Sequence, residues 1–189
     1  MAAGLGGALM LAKRDPGGAG LLDGSPEGFW FSFRAAILLA PFYGILIWVA
    51  RYSSVPEADL TAVFWIEAVS YVGAWMFWPV LAFELGRVMN QGHDIRLYIV
   101  ACNWSEVWIM LLRLPVVALG AAGMLGGGIL GLFSFAVLVF VLYYRYFIAR
   151  TTLPAQPPVA VGFAIADMLA GLLWRAGTDM AIAPYLTAV

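Results

Sequence analysis

LYIVACNWSEVWIMLLRLPVVALGAAG, residues 97–123, is the stretch that decides the fold. At about 1.5 Å of rise per residue it exceeds the roughly 20 residues that carry a helix through a hydrocarbon core about 30 Å thick. Within it stand Asn103, Glu106 and Arg113. A soluble core helix of this kind would belong to a chain with ordinary composition. This chain has 63% hydrophobic and 11% charged residues and a mean hydropathy of +0.91, against roughly 45–50% and about 25% in soluble domains. The segment is therefore read as a membrane span, and the chain as an integral membrane protein.

Working outward, four further runs have the same character. Residues 34–51, RAAILLAPFYGILIWVAR, are bracketed by arginines and carry Pro41, a kink position. Residues 60–88 form a long run with Pro79, long enough for tilt or a bend. The uncharged turn MLGGGILG, 124–131, ends the third span, and about 130–150 form a fourth, closed by the aromatic and basic belt YYRYF. TTLPAQPP forces a loop, and 159–177 make the fifth span. Residues 1–28, with DPGG and DGSPEG, read as an irregular cytoplasmic tail; 29–180 are a single membrane domain and 181–189 a short tail. Ser25 before Pro26 reads as a helix cap leading into GFWFSFR at headgroup level. In residues 1–15 the apolar part precedes Lys13 and Arg14, the reverse of a signal peptide, so the chain is read as unprocessed. There is no internal repeat of the inverted-transporter kind.

Charge sets the orientation. Lys13, Arg14, Arg34, Arg87, Arg96, Arg145 and Arg150 fall on one side, Arg51 and Arg175 on the other. The positive-inside rule puts the N-terminus in the cytoplasm and the C-terminus outside. The expected fold is an all-α polytopic bundle of five transmembrane helices. A net charge of −1 and a single lysine give no nucleic-acid or polybasic lipid footprint. One cysteine, Cys102, and one histidine, His93, exclude a disulfide and a zinc cluster, and no cofactor is expected.

The informative residues are those that cost most in lipid. A mid-membrane charge costs on the order of 2.5–3.5 kcal/mol even on insertion scales, so such groups face protein or water and find partners. At 100° per residue Arg96, Asn103, Glu106, Met110 and Arg113 form one seam, with Trp104 and Trp108 pointing elsewhere. Depth pairs Glu67 with Arg113 as a salt bridge and places Glu106 level with Asp167, where a shared proton or a cation is expected if the two meet. Glu67, Asn103, Glu106, Arg113 and Asp167 are thus a candidate intramembrane network. It reads as a register-fixing structural network, as a proton, ion or solute path, or as a docking site for another membrane protein. Arg87, His93, Asp94, Arg96, Arg145 and Arg150 form a candidate cytoplasmic docking face, with His93, Asp94 and Glu84 near one another. The Gly-rich turn lacks the Lys-Ser/Thr of a phosphate loop, Cys102 reads as an inert core thiol, and no catalytic triad can be assembled. No enzyme activity is expected.

RLYIVACNWSEVWIMLL, a glycine-bearing turn, VLYYRYFIART and a proline-marked loop before a final small-residue span resemble the bacterial branch of the Yip-domain (Ypt-interacting protein) family, over roughly residues 60–175. Where that family has a tyrosine-proline element near span three, this chain has ACNWSE. The resemblance implies five spans and a cytoplasmic N-terminus. The family's eukaryotic members associate with Rab-type GTPases and vesicle trafficking. The expectation is a scaffold, partner-binding or membrane-organising protein of a bacterial inner membrane. Its partners are lipids and another membrane or peripheral protein; its oligomeric state is left open. The alternative is a small transporter or channel subunit.

Overall fold

The computed structural model describes residues 1–49, 59–90, 95–153 and 155–186. Among them are seven α-helices and no strand: α1 (Ala2–Ala12), α2 (Pro26–Ser32), α3 (Arg34–Ile47), α4 (Leu60–Val88), α5 (Ile95–Ala121), α6 (Gly127–Thr152) and α7 (Pro157–Leu186). A 3-10 helix, Pro16–Leu21, links α1 to α2. Five stretches are long and apolar enough to cross a membrane: α2 with α3, then α4, α5, α6 and α7. The expected all-α, five-span bundle is what the chain forms. Pro41, Pro79 and Pro115 lie inside helices, each removing one backbone donor without ending its helix.

The ends of these helices follow local chemistry. Ser25 caps α2, its Oγ accepting the Gly28 N–H at 3.0 Å, with Pro26 in the first turn. The Asp23 carboxylate accepts the Ser25 N–H at 2.9 Å, which holds its pKa below the usual range. Asp59 caps α4 by accepting from Thr61 and Ala62, both at 3.1 Å.

Two stretches differ from expectation. The first is the irregular tail, residues 1–28, of which 2–12 form α1, with Ala8 and Leu11 fully buried. Glycine in a helix costs about 1 kcal/mol relative to alanine, which is why this run reads as irregular. Here the missing side chains are the reason it packs. A Cβ on Gly4 would sit inside the Trp104 indole, and Gly7 and Gly18 press backbone to backbone. The second difference is span five, which does not stop at 177 but continues as helix to Leu186, taking in most of the expected tail 181–189. Asp179, the acid in that extension, is matched by Arg175 one turn back at 3.0 Å.

α5 is the axis of the molecule. Every residue from Tyr98 to Ser105 is buried, because α1, α2, α3, α4 and α6 all pack against α5, and the Phe163 ring of α7 meets Tyr98 at 5.1 Å. α4 and α7 run antiparallel, with the Asp59 N–H donating to the Tyr185 carbonyl at 3.1 Å. They are tied midway by Ser70 and Thr178 at 2.5 Å, and by Trp174, whose Nε1–H donates to the Ser70 carbonyl at 3.1 Å. Arg87, Arg96 and Arg150 lie at one end of the bundle, the basic end; residues 122–126 make the turn at the other. Towards that turn end the covering thins, and Leu111, Leu112 and Leu119 are exposed.

Candidate functional site

The polar network is built around a residue assigned from sequence to the surface. Arg145 lies about 10 Å inside the basic end of α6, counting seven residues back from Thr152, and is only 3% exposed. One terminal nitrogen donates to the Cys102 carbonyl at 3.1 Å and to Ser105 Oγ at 2.7 Å. The other donates to Glu106. Its Nε stands 2.9 Å from Asp167 Oδ2, an ion pair in which the N–H is not aimed at the oxygen. Glu106 and Asp167, set at matching depth by the sequence, thus meet through a guanidinium on a third helix. The Arg145 side chain is 4% exposed, Asp167 18% and Glu106 34%, so the cluster opens on its acidic side. Two carboxylates against one cation leave one formal negative charge, which attracts a proton or a cation.

A second cluster lies toward the turn end. Glu67, 3% exposed, accepts from Arg175 at 3.2 and 3.3 Å through its two oxygens and from the Tyr43 hydroxyl at 2.9 Å. The Tyr71 hydroxyl donates to the Ala36 carbonyl at 2.6 Å, one more polar tie between α4 and α3.

The expected Glu67–Arg113 bridge is therefore not formed. Glu67 faces α7, whose helix carries Arg175 well into the bundle because it extends to Leu186. Arg113 is exposed and makes no hydrogen bond or ion pair with a described residue; it lines a cavity with residues of α3 and α6. The single seam on α5 is likewise divided. Asn103, one helical step of 60° from Glu106, turns to α2 and donates to Ser32 Oγ at 2.8 Å. Trp104 and Trp108 meet α1, the latter donating to the Leu5 carbonyl at 3.0 Å.

Of the candidate docking face, Arg145 is inside the bundle rather than on its surface, because the guanidinium finds two acids and a carbonyl there. Arg87, Arg96 and Arg150 are exposed. Arg87 pairs with Glu84 at 2.5 Å, and Arg150 donates to the Ala155 carbonyl at 2.5 Å. His93 and Asp94 lie outside the described residues. Sequence reasoning missed Arg145, Arg175, Tyr43 and Ser105 as network members. The depth count that matched Glu106 with Asp167 finds Arg145 too, once the reach of an arginine is added to its position on α6.

Fold and site together define a multi-pass α-helical membrane bundle with two intramembrane ion-pair clusters. Compared with family models, curated proteins and solved structures, the chain matches none.

Proposed function

We propose that this chain is a non-enzymatic membrane scaffold of Yip-like type, holding a partner or organising lipid at a bacterial inner membrane with its basic end in the cytoplasm. The observation that carries this is the use made of the buried charge. Arg145 binds α6 to α5 and α7, and Glu67 binds α4 to α7 and α3. Polar groups used in this way fix helix register. The orientation is supported by lysine and arginine content: without Arg145 there remain six basic residues toward one side against Arg51 and Arg175 toward the other. Exposed Arg87, Arg96 and Arg150 form the docking face in this reading.

The test is mass spectrometry of the tagged protein extracted with its native lipid patch by a solubilising polymer. A stoichiometric polypeptide or a selectively enriched lipid is expected, with polypeptide capture weakened when Arg87, Arg96 and Arg150 are changed to Gln. A lone protein in bulk lipid overturns the reading.

One observation favours a second reading, a small transporter or channel subunit. The Arg145 cluster carries a surplus acid, and the Glu106 side chain is one-third exposed. In that case Glu106→Gln and Asp167→Asn abolish proton or cation flux in liposomes. Flux unchanged by both sinks it.

A further inference from the structure

Arg113, well inside a span, makes no hydrogen bond or ion pair with a described residue, and its charge reaches Asp167 only without contact. It lies on α5 about 12 Å short of Ala121, and the nearest acid on its own helix is Glu106, two turns toward the basic end. Beside it is a cavity of about 260 Å3 between α3, α5 and α6, walled by Leu46, Val116, Val117 and Val137, with Ser134 as its other polar member. Gly120 packs against Leu130 where α5 and α6 approach one another. Ser134 is about 10 Å inside the start of α6, a depth close to that of Arg113. The slot is thus a branched-aliphatic groove carrying one cation and one hydroxyl just below the membrane boundary at the turn end.

We propose that this slot binds an anionic phospholipid from the leaflet at the turn end. The phosphate is held by the Arg113 guanidinium and the Ser134 hydroxyl, and one acyl chain lies along Val116, Val117 and Val137. Charge complementarity requires the anion: an arginine in a span is costly unless a counter-charge or the headgroup zone satisfies it, and its stem can carry the guanidinium outward. Arginine matches phosphate oxygens in two-pronged geometry. The walls require a hydrocarbon tail, which a free anion lacks. The volume, that of roughly nine liquid waters at ~30 Å3 each, suits a length of acyl chain and not a helix of about 10–12 Å girth. The inference goes beyond the scaffold role and rests on the membrane placement alone.

The test uses the full chain in an uncharged detergent, titrated with phosphatidylglycerol and with phosphatidylcholine of the same acyl chains, bound lipid being read by native mass spectrometry. Phosphatidylglycerol is retained roughly tenfold better, about 1.4 kcal/mol, because both lipids offer a phosphate but the choline cation of phosphatidylcholine cancels its charge and opposes the guanidinium. Arg113→Gln removes the preference, Ser134→Ala weakens it, and Lys13→Gln, a cation exposed on another element, leaves it intact. Because Arg113 makes no hydrogen bond or ion pair with a described residue, Arg113→Gln is expected to melt close to the parent chain, and an unchanged melting temperature shows that the loss is one of binding. A benzophenone side chain introduced at Val117 cross-links to phospholipid in native membranes. Equal retention of the two lipids, a preference that survives Arg113→Gln, displacement by millimolar inorganic phosphate, or a cross-link to a polypeptide each overturns the proposal.

Discussion

Arg145 is the residue on which three helices depend. Removing one member of a buried ion pair leaves its partners desolvated and unmatched, at a cost of about 3–5 kcal/mol. Arg145→Met is therefore expected to lower stability by that amount in detergent unfolding, and adding Glu106→Gln with Asp167→Asn to recover most of it. A triple variant no better than Arg145→Met would show that the guanidinium acts through its bonds to Ser105 and Cys102 instead. The Glu67–Arg175 pair is weaker, because the Arg175 side chain is 40% exposed and partly screened. A double-mutant cycle is expected to give about 1 kcal/mol of coupling, whereas Glu67 with Arg113 couples by no more than ~0.5 kcal/mol, as separated sites do. The levels of Glu106 and Asp167 could be read from sequence because depth along a helix is simple arithmetic. The partners could not: Tyr143, Tyr144 and Tyr146 around Arg145 look like an interfacial belt, and a belt arginine and a buried one have the same neighbours in sequence.

At the scale of the element, α1 shows how far composition can mislead. Four of the five spans announce themselves by apolar length and are closed by prolines, glycines or charge; the fifth reads as ending at Gly177, although TDMAIAPYL continues the helix. α1 has eleven residues, too few to cross, and its glycines argue against helix until their contacts are known. Two of its three glycines, Gly4 and Gly6, give a matched comparison. Gly4→Val places a side chain in the Trp104 indole and is expected to cost about 1–3 kcal/mol by overpacking, opening residues 2–12 to hydrogen exchange. Gly6 meets nothing within 4 Å of a built Cβ, so Gly6→Ala is expected to slow exchange there and to stabilise by about 0.4–1 kcal/mol through the unfolded chain. The opposite ordering would remove α1 from the core.

For the whole molecule the division is between a closed basic end and an open turn end. Residues 98–105 of α5 are enclosed, while its second half and much of α6 present leucine, valine and phenylalanine outward. Span number and fold class were legible in the sequence because lipid imposes length and apolarity on each helix separately. The asymmetry of packing was not, since a residue facing lipid and one facing a neighbouring helix are chosen from the same apolar set. Orientation is open to direct test, because Cys102 is buried and is not expected to compete for a thiol reagent. Met124→Cys, at a position 72% exposed, is expected to react with a membrane-impermeant maleimide on intact cells. Val88→Cys, at a position 76% exposed, reacts only after permeabilisation. The reverse pattern would invert the bundle and move Arg113 to the other leaflet.

The placement of α1 also dictates an order of assembly. Its Leu5 carbonyl is met by a tryptophan 103 residues further along, and its Ala8 carbonyl by Tyr144, 136 residues further along. A ribosome finishes this apolar segment long before either donor exists, and eleven residues cannot be threaded across the bilayer in the meantime. The first helix to be translated must wait for the third and fourth spans before it can dock on them, and until then its partner is the 3-10 helix Pro16–Leu21 that follows it, an interval in which apolar surface stays exposed to quality control.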